Sequence, residues 1–173
     1  MQNIQVLSIN FINNGIIYEN MKDITGKLQE LLKEGYCTPQ IARIAKKTHD
    51  PSTTIHYNIK KLEKEGKILT YKAVFDYAKI DQGFCSFVLI SLTPDKYNDP
   101  EKIAHKIASR PEVESCDIIT GDWELVIKVR TSDQNAYYQF VKQVLSQPGI
   151  AKTKSLVSFK QIKTEFVESQ AHL

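Results

Sequence analysis

The chain has few of the residues that mark the specialised classes of protein. Its 173 residues include only three cysteines, seven glycines and six prolines. Cys37, Cys85 and Cys116 are too few and too widely spaced for a disulfide framework or a CxxC zinc site. The low glycine and proline content, together with 42% hydrophobic residues, excludes a collagen-like or disordered chain and favours a packed core.

Long hydrophobic segments are also absent. No apolar run approaches the roughly 20 residues that a membrane-spanning helix requires. The first residues lack the basic region and the small-residue cleavage site of a secretory signal. These absences predict a soluble, cytoplasmic protein with no membrane partner.

Catalytic and metal-binding motifs are missing as well. The sequence has no GxSxG, GxGxxG, Walker or HExxH motif, and its four histidines are not at ligand spacing. Asp117, Asp122 and Glu124 cluster near one predicted turn, but no nucleophile accompanies them and carboxylates at turns are usually solvated. We therefore expect no enzyme activity, no metal and no cofactor. An enzyme built on the fold described below is an alternative that rests on fold analogy alone.

Positive charge is concentrated in one part of the chain. Residues 22–80 carry 12 basic and seven acidic side chains, whereas residues 81–173 carry 11 and 12. Residues 1–21 carry a single acidic side chain. This asymmetry predicts a small basic module suited to a polyanion, followed by a near-neutral second module.

Three short helices are predicted in the basic segment. Apolar residues recur at helical spacing over residues 22–35, where Gly35 is a typical stop. Thr38-Pro39 and Asp50-Pro51 are start signals for the second and third helices. The tight break between these two helices predicts a helix-turn-helix. The β-forming residues Ile68–Phe75 predict a following strand or hairpin, which is either a wing that contacts the DNA backbone or a mainly structural segment.

The third predicted helix has one apolar and one polar face. Ile55, Ile59 and Leu62 form an apolar stripe, and the other side carries hydroxyl, phenol, imidazole and ammonium groups. Such groups can bind phosphates and read base edges in a major groove. The candidate DNA-binding residues are Ser52, Thr53, Thr54, His56, Tyr57, Lys60, Lys61 and Lys64. Glu63 and Glu65 would repel DNA, so contacts should concentrate in the first half of the helix. An ordinary solvated helix face is the alternative.

The second module predicts the element order βαββαβ. The strands are Phe84–Leu92, Val113–Ile119, Glu124–Arg130 and Ser155–Lys163, with helices beginning near Asp99-Pro100 and Ser132. This order is typical of the ferredoxin-like fold, an antiparallel sheet with two helices on one face. Because the first strand is apolar on both sides, the open face predicts a partner subunit and hence a homodimer.

Two stretches together resemble the Lrp/AsnC family of transcription regulators. Thr54–Leu69 (TIHYNIKKLEKEGKIL) is similar to that family's recognition helix and following strand. Val113–Val129 (VESCDIITGDWELVIKV) is similar to its effector-sensing core, the RAM-type domain. Their order and spacing extend the resemblance over residues 21–165. The expected fold class is α+β, an N-terminal winged helix-turn-helix joined to a C-terminal ferredoxin-like βαββαβ domain.

The resemblance implies a sequence-specific DNA-binding regulator that forms dimers, often assembled into octamers, and binds double-stranded DNA at a palindromic operator. It also implies an amino acid as effector, bound between dimers at the turn after the second strand of the sensing module. The matched effector residues are Thr120, Gly121, Asp122, Trp123, Glu124, Asp133, Thr153 and Ser155. Gly121 would let backbone N–H groups approach a carboxylate, and Asp122 or Glu124 would hold an ammonium group.

The expected organisation is an extension (1–20), a helix-turn-helix (21–67), a linker strand (68–80), a sensing and oligomerisation domain (81–165) and a tail (166–173). The extension is an extra strand, a dimer arm or a tail, or translation starts at Met21.

The sequence departs from the family in three places: Glu124 replaces the usual Asp, Tyr57-Asn58 stands where arginine is common, and the extension precedes the first family helix. The alternative function is an amino-acid-sensing oligomer whose first module binds protein rather than DNA.

Overall fold

The basic segment forms the three predicted helices. The structure is a computed structural model that describes residues 11–12, 15–16, 23–165 and 167–168. The helices are α1 (Thr25–Glu34), α2 (Ile41–Thr48) and α3 (Ser52–Lys64). α1 ends where Gly35 adopts a left-handed φ of 107°, and a Cβ at this position would collide with the Thr70 side chain. The predicted glycine stop is confirmed.

The predicted starts of α2 and α3 are wrong in detail. The N-cap of α2 is Gln40 rather than Thr38, and the N-cap of α3 is Pro51; neither supplies a side-chain hydrogen bond. Backbone carbonyls close the first turns instead, since Ile44 N–H donates to Gln40 and Ile55 N–H donates to Pro51. The tight break is nevertheless present, because His49 ends α2 with a left-handed φ of 62°.

The wing strand predicted at Ile68–Phe75 does not form. A strand requires a neighbour with which to share its backbone hydrogen bonds, and no described strand pairs with this segment. The backbone here forms hydrogen bonds with helices instead. The N–H groups of Lys67 and Ile68 donate to the carbonyl of Leu62 in α3, and the N–H of Ala73 donates to the carbonyl of Leu32 in α1. The β-forming side chains therefore lie in a segment whose backbone is hydrogen-bonded to α1 and α3.

The chain divides into two compact units between Ala73 and Val74. In the first unit, Phe11–Ile12 (β1) and Gly15–Ile16 (β2) form an antiparallel pair. The rest of the predicted N-terminal extension lies outside the described residues, so its alternatives remain open. In the second unit, Lys163–Thr164 and Val167–Glu168 pair at the start of the predicted tail, and residues 169–173 lie outside the description.

The second unit has the predicted βαββαβ order. Its main elements are β3 (Phe84–Leu92), α4 (Pro100–Ala108), β4 (Val113–Ile118), β5 (Leu125–Thr131), α5 (Gln134–Phe140, continued by a π-helical turn to Leu145) and β6 (Ile150–Val157). Short 3₁₀ turns occupy Tyr77–Ile80 and Pro94–Lys96, and the terminal pair is β7 (Lys163–Thr164) with β8 (Val167–Glu168). The sheet is antiparallel in the order β4-β5-β3-β6, as expected for a ferredoxin-like fold. None of the helices described is long and apolar enough to cross a membrane.

The core lies between the sheet and the two helices. Alternate residues of β3, Val88, Ile90 and Leu92, are fully buried, and Val88 and Ile90 lie opposite the buried Ile127 and Leu125 of β5. Helices α4 and α5 cover this face with Ile103, Ala104, Ile107, Tyr137, Phe140, Val144 and Leu145. The period of two in the strands and of 3.6 in the helices therefore converges on one apolar layer.

The last strand of the sheet begins five residues earlier than predicted. β6 pairs with β3 from Ile150 opposite Leu92 to Val157 opposite Ser86. The prediction of Ser155–Lys163 failed because Lys152 and Lys154 resemble a polar connection. They belong to an edge strand, where exposed lysines are common because they discourage pairing with another chain.

The sheet face opposite the helices carries a buried ion cluster. Glu114 accepts hydrogen bonds from Lys128 at 2.6 Å and from Arg130 at 2.8 Å, and these two cations are only 13% and 5% exposed. Arg130 also donates to Gln161 and stacks on the Tyr77 ring at 3.7 Å. The cluster thereby fastens the segments before β3 and after β6 to the sheet.

We predict that Glu114→Gln destabilises the protein strongly, because it leaves two buried cations without a counter-charge. A loss of about 3 kcal/mol in the free energy of unfolding is expected from urea denaturation. The matched control is Glu112→Gln, whose pair with Arg110 is longer and half-exposed and should matter by less than about 1 kcal/mol. Equal effects of the two substitutions would show that the Glu114 cluster has no special role.

Candidate functional site

All eight candidate DNA-binding residues lie on the exposed surface of α3. Thr53, Tyr57 and Lys60, on which the prediction depends most, are open to solvent, while Ile55 and Ile59 on the opposite side are half-buried. The helix therefore packs through its apolar stripe and exposes its polar face, as the 3.6-residue period predicts.

Five of these residues share one shallow concavity. It has a volume of about 480 Å³ and is lined by Ser52, Thr53, His56, Tyr57 and Lys60 of α3, with Ile41 at the start of α2. Thr54, Lys61 and Lys64 lie outside this concavity. The Thr54 carbonyl accepts a hydrogen bond from Asn58, and Lys61 lies 3.9 Å from Glu65.

Lys60 has an acidic partner that the polar face did not reveal. Its Nζ lies 2.7 Å from Oε2 of Glu63, one turn further along α3. The other carboxylate oxygen, Oε1, accepts a hydrogen bond of 3.1 Å from the hydroxyl of Tyr71. The sequence contains the spacing of the Lys60–Glu63 pair, but the Tyr71 contact depends on the path of the chain after the helix.

The ionisation of this group is consistent with a formed ion pair. The hydrogen bond from Lys60 lowers the pKa of Glu63, and the hydrogen bond to Glu63 raises the pKa of Lys60. Partial burial, followed by the Glu63 carboxylate, raises the pKa of the Tyr71 phenol. At neutral pH Lys60 is therefore a cation, Glu63 an anion and Tyr71 a neutral donor.

The predicted effector turn is an exposed loop between β4 and β5. Thr120, Gly121 and Asp122 are exposed, and Gly121 has a φ of 115° with open space where a Cβ would lie. A left-handed glycine of this kind allows backbone N–H groups to approach a ligand. The loop closes where Ile119 N–H donates to the Glu124 carbonyl at 2.9 Å.

Glu124 anchors this loop to the central strand. Its carboxylate accepts a 2.7 Å hydrogen bond from the backbone N–H of Leu92, and its own N–H donates to the carbonyl of Ile90. Leu92 follows the register shift between β3 and β6, where regular strand pairing is interrupted. The role predicted for Glu124, holding an ammonium group, competes with this structural bond, whereas the Asp122 side chain is exposed.

Trp123 brings the loop close to β6. Its half-buried ring lies 4.8 Å from Nζ of Lys152, a cation–π distance. Thr153, the next residue of β6, pairs with Ile90, which in turn pairs with Leu125 at the end of the loop. Thr153 is thus aligned with the predicted turn, and Lys152 is a neighbour that sequence reasoning missed because the contact joins distant segments.

Ser155 and Asp133 have structural partners in the second unit. The Ser155 hydroxyl hydrogen-bonds to the phenol of Tyr137, a core residue of α5. Asp133 caps α5 by accepting from Ala136 N–H at 2.8 Å. Because Asp133 follows β5 at the end opposite Leu125, a single chain does not bring it to the loop at residues 119–124.

The comparisons with known proteins identify the family. A model of the Lrp/AsnC ligand-binding domain matches residues 85–167. An HTH-type transcriptional regulator of Pyrococcus furiosus is 35% identical over 139 residues, which cover 80% of this chain and 91% of that protein. The chain belongs to the Lrp/AsnC family. It is a DNA-binding transcription regulator, as predicted.

Solved structures agree with this family and with its fold. An AsnC family transcriptional regulator from Agrobacterium tumefaciens has a TM-score of 0.66 and 26% identity, covering 83% of this chain and 94% of that one. A transcriptional regulator of Neisseria meningitidis in complex with L-Met has a TM-score of 0.65 and 25% identity, covering 79% and 88%. The leucine-responsive regulatory protein of Haemophilus influenzae is 26% identical over 121 residues, 69% of this chain and 73% of that protein.

We predict that Asp133 stabilises the second unit in a pH-dependent way. Its capping bond with Ala136 N–H lowers its pKa below the ordinary 3.8, so the stabilisation is complete above pH 3.8 and is lost as the pH falls through the lower folded-state value. Thermal unfolding of Asp133→Ala should show a reduced midpoint at neutral pH, and the difference from wild type should narrow below pH 3.8. The exposed loop residue provides a control, Asp122→Ala, which should leave the midpoint unchanged. A difference that is independent of pH would contradict the charged cap.

Proposed function

We propose that this regulator binds double-stranded DNA with α3 in the major groove. The observation that carries the proposal is the exposed concavity, where hydroxyl, imidazole, phenol and ammonium groups of one helix face are adjacent. Thr53, His56 and Tyr57 supply donors and acceptors for base edges, and Lys60, Lys61 and Lys64 supply charge for phosphates. The protein has no catalytic role in this proposal, and it acts in the cytoplasm, where its DNA target lies.

The start of α3 favours a phosphate contact. Pro51 provides no side-chain cap, and the first intrahelical bond of the helix is the one donated by Ile55. The N–H groups of Ser52, Thr53 and Thr54 therefore point toward solvent at the positive end of the helix dipole, where anions bind. Ser52 and Thr53 add hydroxyl donors at the same place.

We propose that the regulator acts as a homodimer, in which the open sheet face of one subunit covers that of another. Phe87 and Leu156 are cross-strand neighbours on this face and are 40% and 45% exposed. Burying such apolar surface is favourable at about 25 cal/mol per Å². A dimer of this kind presents two copies of α3 to successive major grooves, which are about 34 Å apart, and so requires a palindromic operator. Larger assemblies up to an octamer are compatible with the same dimer.

We also propose an amino acid as effector, held at the loop of residues 119–124. The L-Met complex of the Neisseria meningitidis regulator and the leucine-responsive name of the Haemophilus influenzae protein support this ligand class. Asp122 is the exposed carboxylate for an ammonium group, and Thr120 and Gly121 offer backbone and hydroxyl groups for a carboxylate. Trp123 and Thr153 border the side-chain position. Glu124 acts through the Leu92 bond, and Asp133 and Ser155 would have to be contributed across a subunit contact.

DNA binding is tested by removing two charges from α3. We expect Lys60→Ala with Lys61→Ala to weaken binding to a selected operator roughly tenfold at 0.1 M salt and to reduce the salt slope by about one for each of the two lysines that neutralises a phosphate. The control is Lys102→Ala with Lys106→Ala on exposed positions of α4, which removes the same charge from the second unit. Fluorescence anisotropy at several salt concentrations measures both quantities. Equal losses for the two double variants would contradict the assignment to α3.

Effector binding is tested through Trp123, the single tryptophan of the chain. Because its ring lies in the loop beside Lys152, a ligand at this loop should change the emission intensity or wavelength. We expect at least one of the twenty amino acids to do so, and Asp122→Ala to abolish the response while the unfolding midpoint stays constant. The same titration with Lys106→Ala, on α4, provides the control. A response that survives Asp122→Ala would place the ligand elsewhere, and no response to any of the twenty would contradict the proposed ligand class.

A further inference from the structure

One feature of the α3 surface is unexplained by the proposed function: Lys60 already forms an ion pair within the protein itself. Lys60 is 61% exposed, yet its ammonium group already lies 2.7 Å from Oε2 of Glu63. Glu63 is only 29% exposed and is held from its other side by Tyr71. The pair is therefore asymmetric: the lysine is largely exposed, whereas the carboxylate is less exposed and has a second hydrogen-bond partner.

The neighbouring acidic residue of the same helix end differs in this respect. Glu65 accepts Lys67 at 2.7 Å, and its distance to Lys61 is 3.9 Å, beyond hydrogen-bond range. Glu65 thus lies beyond hydrogen-bond range of Lys61, the lysine of α3 with which it is paired by charge, although it carries the same charge as Glu63. Substitutions of Glu63 and Glu65 can therefore be compared directly, because they remove the same charge from the same end of the helix.

The first unit supports α3 only weakly by burial. No residue within 23–73 is fully buried, and the apolar stripe of α3 is at most half-buried. A carboxylate that joins Lys60 and Tyr71 consequently fixes both the direction of a DNA-facing side chain and the position of the segment after the helix.

We propose that Glu63 is a positioning residue that limits the DNA affinity of this regulator, because it holds the Lys60 ammonium group in competition with DNA phosphates. This inference rests on the proposed function of α3. A phosphate that takes Lys60 must break the Lys60–Glu63 hydrogen bond and leave the anchored carboxylate close to the DNA. The phosphate contact is therefore weaker than one made by an unpaired lysine.

The mechanism has a signature in the salt dependence. A lysine that neutralises a phosphate releases counterions from DNA and adds about one to the salt slope. With Glu63 in place, Lys60 adds little to that slope, because a negative charge stays beside it. Phosphate contacts carry no base information, so Glu63 reduces affinity for operator and unrelated DNA alike and leaves their ratio unchanged.

The decisive experiment compares Glu63→Gln with Glu65→Gln in the full chain. Both variants remove one negative charge, and glutamine at position 63 retains an acceptor for Tyr71. We expect Glu63→Gln to tighten binding to a duplex selected by the wild-type protein about tenfold at 0.1 M salt and to steepen the salt slope by about one. Glu65→Gln should have a clearly smaller effect on both quantities. An unrelated duplex of the same length should gain as much as the selected one.

A double-mutant cycle with Lys60→Gln separates competition from general repulsion. In the Lys60→Gln background, Glu63→Gln should tighten binding no more than Glu65→Gln does. Equal effects of the two Glu variants on wild type, or an undiminished Glu63→Gln effect in that background, would overturn the inference. Circular dichroism and the unfolding midpoint confirm that each variant is folded.

The same set of measurements distinguishes failure of the inference from failure of the proposed interface. If Lys60→Gln weakens DNA binding while the two Glu variants behave alike, α3 remains the DNA surface and only the competition is refuted. If Lys60→Gln and Glu63→Gln both leave affinity and salt slope unchanged, the α3 face is not the DNA surface and both proposals fall.

Discussion

Burial of one face of β3 is the constraint on which the second unit depends. Val88, Ile90 and Leu92 alternate with residues that face the other way, and α4 and α5 can cover only one of the two sides. The covered side becomes the core. The remaining side keeps Phe87 half-exposed and carries the Glu114 ion cluster, so the core and the open sheet face both follow from the same alternation.

The carboxylates illustrate how little of the site's chemistry is visible in composition. Glu63, Glu114 and Glu124 are chemically identical, yet one binds a surface lysine, one joins two buried cations and one accepts from a backbone N–H. Each environment follows from the contacts that the fold creates, because a carboxylate has acceptor sites for several donors. Asp122, by contrast, is exposed in the loop between β4 and β5.

The sequence was sufficient for the features that depend on local periodicity. The three helices, the order βαββαβ and the exposed face of α3 all follow from spacings of 3.6 or two residues, and the family resemblance located the loop around Gly121. Other features depend on contacts between distant residues. The segment Ile68–Phe75 has the composition of a strand, but no strand among the described residues pairs with it. The predicted start of β6 was five residues too late because the edge lysines resemble a connection. The Tyr71–Glu63 and Lys152–Trp123 contacts join segments whose proximity no local pattern encodes.

The bond between Glu124 and Leu92 has a thermodynamic consequence for any molecule that reaches the loop. The register shift in β3 leaves the N–H of Leu92 to be satisfied by a side chain, and Glu124 supplies the acceptor. A ligand that bound the Glu124 carboxylate would leave the backbone N–H of Leu92 without an acceptor, at a free-energy cost of about 1–3 kcal/mol. The sheet therefore opposes the binding of any molecule that displaces Glu124 and tolerates binding that leaves the Glu124–Leu92 hydrogen bond in place.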